Sequence, residues 1–394
     1  MKILSVNAGS SSLKFQLYEM PEEKVLISGI FERIGIDNSF YTIKINDNKI
    51  KKEVQLENHE VAFSILNKEL LDNKIINSLD EIKGVGHRVV HGGDKYSKSV
   101  VIDNEVLDTI VELSALAPLH NPANIMGIKA SMKEISSAIQ VGCFDTAFHQ
   151  TMEKNSYLYP IPYEFYEKYN IRKYGFHGMS HKYVSKRANK LLGKNDTKLI
   201  ICHLGNGGSL SAVVNGKCID TTMGFTPNAG IIMGSRSGDI DYSIIPYLIN
   251  KTDLTIYEID SILNKKSGLL GISGVSSDMR DVIDESEANN ERANLAIDMV
   301  VKTIVGYISK YYVQLGGCDA ICFTAGIGEN SSQIRNFVIN KLDVLGIKLD
   351  EAKNEEIRFG KEGIITTLNS SIPCYVIPTN EEVMIARDTL NLIN

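Results

Sequence analysis

Three turns in this chain join glycine to small polar residues at or just beyond the end of an apolar run. They are Asn7-Ala8-Gly9-Ser10, Gly205-Asn206-Gly207-Gly208-Ser209 and Gly326-Ile327-Gly328-Glu329-Asn330, following the runs 3–6, 200–204 and 320–323. Glycine permits positive φ and close approach of the backbone. Successive N–H groups in such a turn form a concave anion site. The third turn also reads as the start of a helix, where the dipole favours a phosphate. One such turn usually only reverses the chain; three at strand ends point together to a nucleotide. Neither Gly-x4-Gly-Lys-Ser/Thr nor Gly-x-Gly-x-x-Gly after the first strand occurs, so a nucleotide would be held by another device.

Charges inside apolar surroundings come next. Arg88 sits in Val85-Gly86-His87-Arg88-Val89-Val90, where a charge is costly unless paired or aimed at a ligand. Both readings stay open: an ion pair with a buried carboxylate, or a substrate contact. Arg236 lies among small residues in Met233-Gly234-Ser235-Arg236-Ser237-Gly238-Asp239, a loop able to aim a guanidinium. Asp145 ends the run 139–144, and α/β proteins gather ligands at the carboxyl ends of strands. His87/His91 and His177/His181 are spaced i, i+4, which on a helix can suit a metal. The first pair reads as strand, and no Glu follows His177 as a zincin helix requires. His177 is better read as a hydrogen-bond donor to phosphate. Glu381 and Glu382 follow Thr379-Asn380. They either occupy a helix start because the dipole favours acids, or supply a carboxylate to Mg2+, which prefers oxygen ligands and keeps several waters.

The elements that would position these groups alternate between strand and helix. Segments 3–15 and 200–213 look alike, each a strand, a glycine turn and a second alternating strand. They suggest two related halves, each opening with a β-hairpin. Strands are expected at 84–90, 139–144, 320–323 and 373–377. A helix is expected to start with Asn121 as N-cap and Pro122 in the first helical position. A long amphipathic helix is expected over 291–314, closed by Gly316-Gly317, and a last helix carries Met384, Ile385 and Ala386. Residues 46–52, rich in lysine and asparagine, read as a solvated loop or hairpin tip. The class is α/β, with mixed central sheets flanked by helices.

A chain of 394 residues suggests two or three domains with a sizeable core. Its 43% hydrophobic and 23% charged content is that of a soluble globular protein. A net charge of −6 argues against nucleic acid as a partner, while a few arginines can still make an acidic protein attractive to an anion. Cys143, Cys202, Cys218, Cys318, Cys322 and Cys374 form no Cys-x-x-Cys pair and read as free thiols in a reducing compartment. No secretory leader follows Lys2, and no apolar run approaches the ~18 residues of a membrane span. A cytoplasmic location is expected, with no membrane partner.

Asn7-Ala8-Gly9-Ser10-Ser11-Ser12-Leu13-Lys14-Phe15 resembles the N-terminal signature of the acetate kinase family, and Tyr174-Gly175-Phe176-His177-Gly178-Met179-Ser180-His181 resembles its second signature. Segments 86–93, 203–209, 222–236, 324–330 and 378–382 match in order across the whole chain. The resemblance implies the actin-like, sugar-kinase-like and Hsp70-like ATPase superfold: duplicated ribonuclease H-like α/β domains with the nucleotide in the cleft. It implies an acyl-kinase domain of residues 1–148 plus 382–394, and a nucleotide-binding and dimerisation domain of residues 149–381. It further implies reversible transfer of the ATP γ-phosphoryl group to acetate, giving acetyl phosphate and ADP, with Mg2+ as cofactor, Mn2+ as a substitute, and a homodimer.

By the same resemblance, Asn7 and Glu381 hold the metal. Lys14, His203, Leu204, Gly205, Asn206 and Gly207 meet the ATP phosphates, while Asp278, Met279, Arg280, Gly326, Ile327, Gly328, Glu329 and Asn330 form the nucleoside pocket. Arg88 binds acetate or its phosphoryl group, and Val90, Leu119, Phe176 and Pro227 line the methyl pocket. Asp145 is the catalytic carboxylate; His177 and Arg236 stabilise the transition state. Carboxylic acids titrate near ~4, so acetate needs no general base, and Asp145 is expected to orient Arg236 or a Mg2+-bound water. A kinase for propionate or another short-chain acid is the near alternative. A non-metabolic actin-like ATP switch is the more distant one, disfavoured because no further domain follows the closing helix.

Overall fold

The apolar run after Lys2 forms an interior strand of an eight-stranded sheet in the computed structural model, which describes residues 1–118 and 120–394. The chain divides into one unit of Met1–Gln150 with Asn380–Asn394 and a second of Thr151–Thr379. The division groups Glu381 with the first unit, not at the end of the second segment as the expected boundaries had it. The last helix, Glu381–Ile393, packs on the first sheet, and Ser5 donates to the Glu382 carbonyl at 2.8 Å.

The first unit contains β1 (Lys2–Ala8), β2 (Ser12–Glu19), β3 (Lys24–Glu32), β4 (Phe40–Ile45), β5 (Asn48–Glu53), β6 (Ile82–Val89), β7 (Val100–Val101) and β8 (Ile139–Phe144), in the order β5-β4-β3-β2-β1-β6-β8-β7. β1 is antiparallel to β2 and parallel to β6, which is parallel to β8. Helices cover both faces of β1 and β6. One face meets Asn121–Glu134, itself packed on His59–Asp72, and the other meets Glu381–Ile393. That is why β1 reads as a continuous apolar run and not as an alternating one.

Gly84, Gly86 and Arg88 share one face of β6, because side chains alternate along a strand. A Cβ on Gly86 would collide with Thr389 and Ile385 of the last helix. The glycines therefore let the helix lie close on the strand, and its first residue, Glu381, comes up against Arg88.

The second unit contains β9 (Lys198–Leu204), β10 (Gly208–Val214), β11 (Lys217–Thr221), β12 (Ala320–Thr324), β13 (Gly363–Ile364) and β14 (Cys374–Val376), in the order β11-β10-β9-β12-β14-β13. Its antiparallel β11-β10-β9 and parallel β9-β12-β14 repeat the pattern of β3-β2-β1 and β1-β6-β8. The two similar hairpins are thus the openings of two like-built sheets. Their turns differ in size. The first is closed by Ala8 opposite Leu13, the second by Leu204 opposite Gly208, a tighter connection.

Local readings fared well where the signal was local. The long helix runs Glu291–Leu315, capped by the Asn290 side chain and ended by left-handed Gly316 at φ 63°. Residues 48–52, read as loop or tip, pair with β4 as part of β5; only the Asn46-Asp47 turn is the tip. In the helix Asn121–Glu134 the N-cap position falls on His120, which makes no side-chain capping bond, and not on Asn121, and Pro122 stands second in it. The Asn121 amide is used elsewhere: it accepts from His91 N at 3.1 Å and donates to His91 O at 3.0 Å. No described helix is long and apolar enough to cross a membrane.

Candidate active site

In the first unit the side chains of Arg88 and Asp145, 57 residues apart, meet across the parallel β6–β8 pair. Arg88 Nε lies 3.1 Å from both carboxylate oxygens, and Nη2 lies 2.6 Å from Oδ2. Asp145 is only 1% exposed, and its N–H donates to Val89 O at 3.0 Å. The ion-pair reading of Arg88 is therefore realised, and the oxygens of Asp145 are taken by Arg88. Glu381 Oε2 stands 3.9 Å from Arg88 Nε, and Lys14 pairs with Glu382. Burial opposes the Arg88 charge, but Asp145 and Glu381 outweigh it and drive the guanidinium above the usual arginine range. Burial raises the Glu381 carboxyl; Arg88 pulls it down, and Asp145 and Glu382 add to the rise.

Val90, at the end of this strand, is buried and its N–H donates to Asn124 Oδ1 at 3.0 Å. Asn124 in turn donates to Ala8 O at 2.8 Å, tying the Val90 backbone to the first glycine turn. Asn7 shares a face of β1 with Ser5, the face on which the last helix begins. Leu119, expected in the methyl pocket, lies outside the described residues.

In the second unit the expected phosphate turn, His177 and Arg236 converge. A Cβ placed on Gly207 would lie 3.2 Å from Arg236 Nη1 and 3.7 Å from His177 Nε2. The Arg236 loop docks on this turn through Gly234 N donating to Asn206 O at 2.9 Å, and any side chain at Gly234 would overlap the Asn206 amide. Arg236 Nη1 donates to Pro227 O at 3.3 Å and reaches Met233 Sδ at 3.7 Å. It has no carboxylate partner among the described residues, and burial lowers its pKa. His177 adopts φ 59° immediately before the helix Gly178–Leu192. The ring stacks on His203 with centroids 4.1 Å apart, and His203 Nδ1 is 2.7 Å from Ser180 Oγ. Phe176, next to His177, is buried.

A cavity of about 820 Å³ in the same unit is lined by Gly205, Asn206, Asp278, Met279, Arg280, Gly326, Ile327 and Asn330. Its size suits a nucleoside with phosphates. At its rim Arg280 Nη2 pairs with Asp278 Oδ2 at 2.6 Å, which holds the Asp278 carboxyl down at about 2. Leu204 is buried, and Gly328 packs against the ends of β9 and β12. Glu329, expected in the pocket, instead accepts from Ala325 N at 2.7 Å and Thr379 N at 3.1 Å, bracing the turn from behind.

Sequence reasoning missed two features of this pocket. Phe359, 78% exposed, stands at its lip with its N–H donating to Asn330 Oδ1 at 2.9 Å. Arg335 is fully buried and donates to the carbonyls of Gly328 (3.0 Å), Glu329 (2.8 Å), Asn354 (2.6 Å) and Ile357 (3.1 Å). It stitches the 326–330 turn to the segment carrying Phe359, and burial pushes its pKa down to about 10. An exposed Phe beside Gly360 was a weak available signal; Arg335 had none, since it reads as an ordinary helical arginine.

No group of three or more His, Cys, Asp or Glu stands ready for a metal among the described residues. Mg2+ does not require one, because it binds through one or two carboxylates with waters and phosphates. The oxygen donors of Asn7 and Glu381 fit that habit. Glu381 is also raised, by burial first and by Asp145 and Glu382, although Arg88 and Lys14 pull it down, and a cation there would favour its charged form.

A model of the Acetokinase family matches residues 2–387. The acetate kinase of Bacillus cytotoxicus is 54% identical over 395 residues, covering 100% of this chain and 99% of its own. That of Geobacillus sp. (strain WCH70) is 55% identical over the same length, with the same coverage. Among solved structures, the acetate kinase of Porphyromonas gingivalis has a TM-score of 0.94 at 43% identity, covering 100% of both chains. A propionate kinase from Francisella tularensis has a TM-score of 0.94 at 44% identity, covering 99% of both. The fold is accordingly the expected actin-like ATPase fold, with two mixed sheets flanked by helices.

Proposed function

The chain belongs to the acetokinase family, and from that premise we propose that it transfers the γ-phosphoryl group of ATP reversibly to the carboxylate of acetate, giving acetyl phosphate and ADP. Phosphoryl transfer asks a protein for positioning and charge stabilisation more than for covalent chemistry. The observation that carries the reading is Arg236: a half-buried guanidinium without a carboxylate partner among the described residues, set against the Gly207 turn beside His177. Such a charge is held ready for the equatorial oxygens of a phosphoryl group. His177 Nε2 donates to the same group, and the Gly205–Asn206–Gly207 backbone steadies the phosphates.

Arg88, held by Asp145, takes the acetate carboxylate, and Val90, Leu119, Phe176 and Pro227 are assigned to its methyl group. Asp145 accordingly acts as a positioning residue for Arg88. Asn7 and Glu381 would hold Mg2+, which when bound supplies positive charge to the phosphate oxygens. Exposed Tyr242, Tyr247 and Tyr257 support a homodimer, and the buried free thiols suit a reducing, cytoplasmic compartment.

The test is ADP formation from ATP and Mg2+ with acetate, propionate or butyrate, trapping acyl phosphate as hydroxamate with hydroxylamine. Acetate-dependent hydroxamate equal to ADP is expected. One added methylene should cost only about 10–200-fold in kcat/KM, so propionate should be a poorer substrate. The likeness to a propionate kinase keeps that acid as the second reading, and a higher kcat/KM for propionate would select it. ATP hydrolysis without hydroxamate would overturn both in favour of an ATP switch.

A further inference from the structure

Ser209, on β10, is fully buried, and its hydroxyl lies between two imidazoles: 2.9 Å from His177 Nδ1 and 2.8 Å from His181 Nε2. A hydroxyl has one proton to give. If it donates to one ring it must accept from the other, so the two contacts have a direction. The other nitrogen of His177, Nε2, faces the Gly207 turn and Arg236. A bare Nε2 would present a lone pair to any phosphate oxygen held there, which is repulsive.

We propose that Ser209 and His181 are positioning residues that set the tautomer of His177. His181 Nε2–H donates to Ser209 Oγ, Ser209 O–H donates to His177 Nδ1, and the proton of the neutral His177 ring stays on Nε2, aimed at the transferred group. The reverse direction would leave His177 either bare at Nε2 or doubly protonated. Double protonation would add a second positive charge beside Arg236, whose own charge already lacks a carboxylate partner among the described residues. The stack on His203 holds the plane of the ring, and the hydroxyl decides which nitrogen is protonated. The inference rests on the proposed phosphoryl transfer only for its effect on rate.

The experiment is nitrogen NMR of the intact protein with ring-15N histidine, together with steady-state kinetics. The His177 signals are identified by their loss in His177→Gln. The wild-type ring should show the Nε2–H pattern. Ser209→Ala should give mixed or Nδ1–H tautomers and lower kcat by on the order of ten- to a hundredfold, typical for removing a group that orients a histidine, with little change in KM for ATP. Ser209→Thr, which keeps the hydroxyl, should restore the Nε2–H pattern and most of kcat. His181→Leu frees the hydroxyl to accept as well as donate, so mixed tautomers are expected there too, which keeps the test open if Ser209→Ala does not fold. An unchanged Nε2–H pattern in the folded Ser209→Ala or His181→Leu protein would overturn the proposal, as would a lost pattern with wild-type kcat. If wild-type protein makes no acyl hydroxamate, the phosphoryl-transfer reading fails, while the NMR arm still decides the direction of the hydrogen bonds.

Discussion

Arg88 and Arg236 are both half-buried guanidiniums, and their surroundings are opposite. Arg88 carries Asp145 against it, with Glu381 3.9 Å away. Arg236 meets a carbonyl and a thioether and no carboxylate among the described residues. Burial works against both charges; in one case acidic neighbours outweigh it, and in the other nothing does. An arginine with an internal counter-ion is fixed before any ligand arrives and offers that ligand only part of its charge. An arginine without one keeps its full charge for an incoming anion, at some expense to folding. The first arrangement suits holding a substrate carboxylate, the second suits charge that develops during reaction.

The contrast can be broken most directly at Arg236. Arg236→Ala should lower kcat by about 10³-fold or more, the scale of a lost arginine finger. It should leave the melting temperature unchanged or slightly raised, because it strands no carboxylate among the described residues, only the Pro227 carbonyl and the Met233 thioether. Arg236→Lys should not rescue fully, since an ammonium lacks the planar fork. Steady-state kinetics beside a thermal melt decide this, and near-wild-type kcat would remove Arg236 from the site. Arg88→Ala should do the reverse on stability. It strands a carboxylate that is 1% exposed, a change that costs on the order of 3–5 kcal/mol, and it should raise KM for acetate. Adding Asp145→Asn to it should recover much of the stability but not the KM. Equal melting temperatures for the two single alanine variants would erase the distinction.

The smallest expected effect extends the contrast to acid. The first unit buries His87 and His91, each held down at about 4 by burial, His87 while its Nε2–H donates to Gln140 Oε1 at 2.8 Å. Unfolding frees these rings to titrate near ~6.5. Between that pH and about 4 the unfolded chain binds protons that the folded chain refuses, so stability falls as pH drops and its full value is present above ~6.5. The loss should be on the order of 3 kcal/mol for His87. Urea melts across this range should show a shallower pH slope in His87→Gln; an identical slope would mean that His87 is not the group responsible.

Much of the nucleotide side was legible because its signals are local. Glycine turns after apolar runs announce themselves, and Gly326, Ile327 and Asn330 line one cavity with Asp278, Met279 and Arg280, while Gly328 and Glu329 do not. The site's connections were not legible. Glu329 looks like a pocket carboxylate, yet its Oε1 accepts from two backbone N–H groups, those of Ala325 and Thr379. Ser209 ends a motif noted for glycine, and its meaning lies in two histidines on another element. The side-chain contact of Asp145 with Arg88 joins residues 57 apart, which no spacing along the chain announces.

The sequence by itself determined the class of the fold, the repeat of the opening hairpin, the long helix and which residue types stand at strand ends. These follow from period, turn chemistry and capping, all set within a few residues. Only the tertiary structure decided which charges are neutralised and which stay available. Arg88 finds Asp145 through the register of two parallel strands, and Arg236, whose loop docks on a glycine turn by backbone contacts, meets no carboxylate among the described residues. Pairing of charges depends on distance in space and on burial, and neither is written in the spacing of residues along the chain.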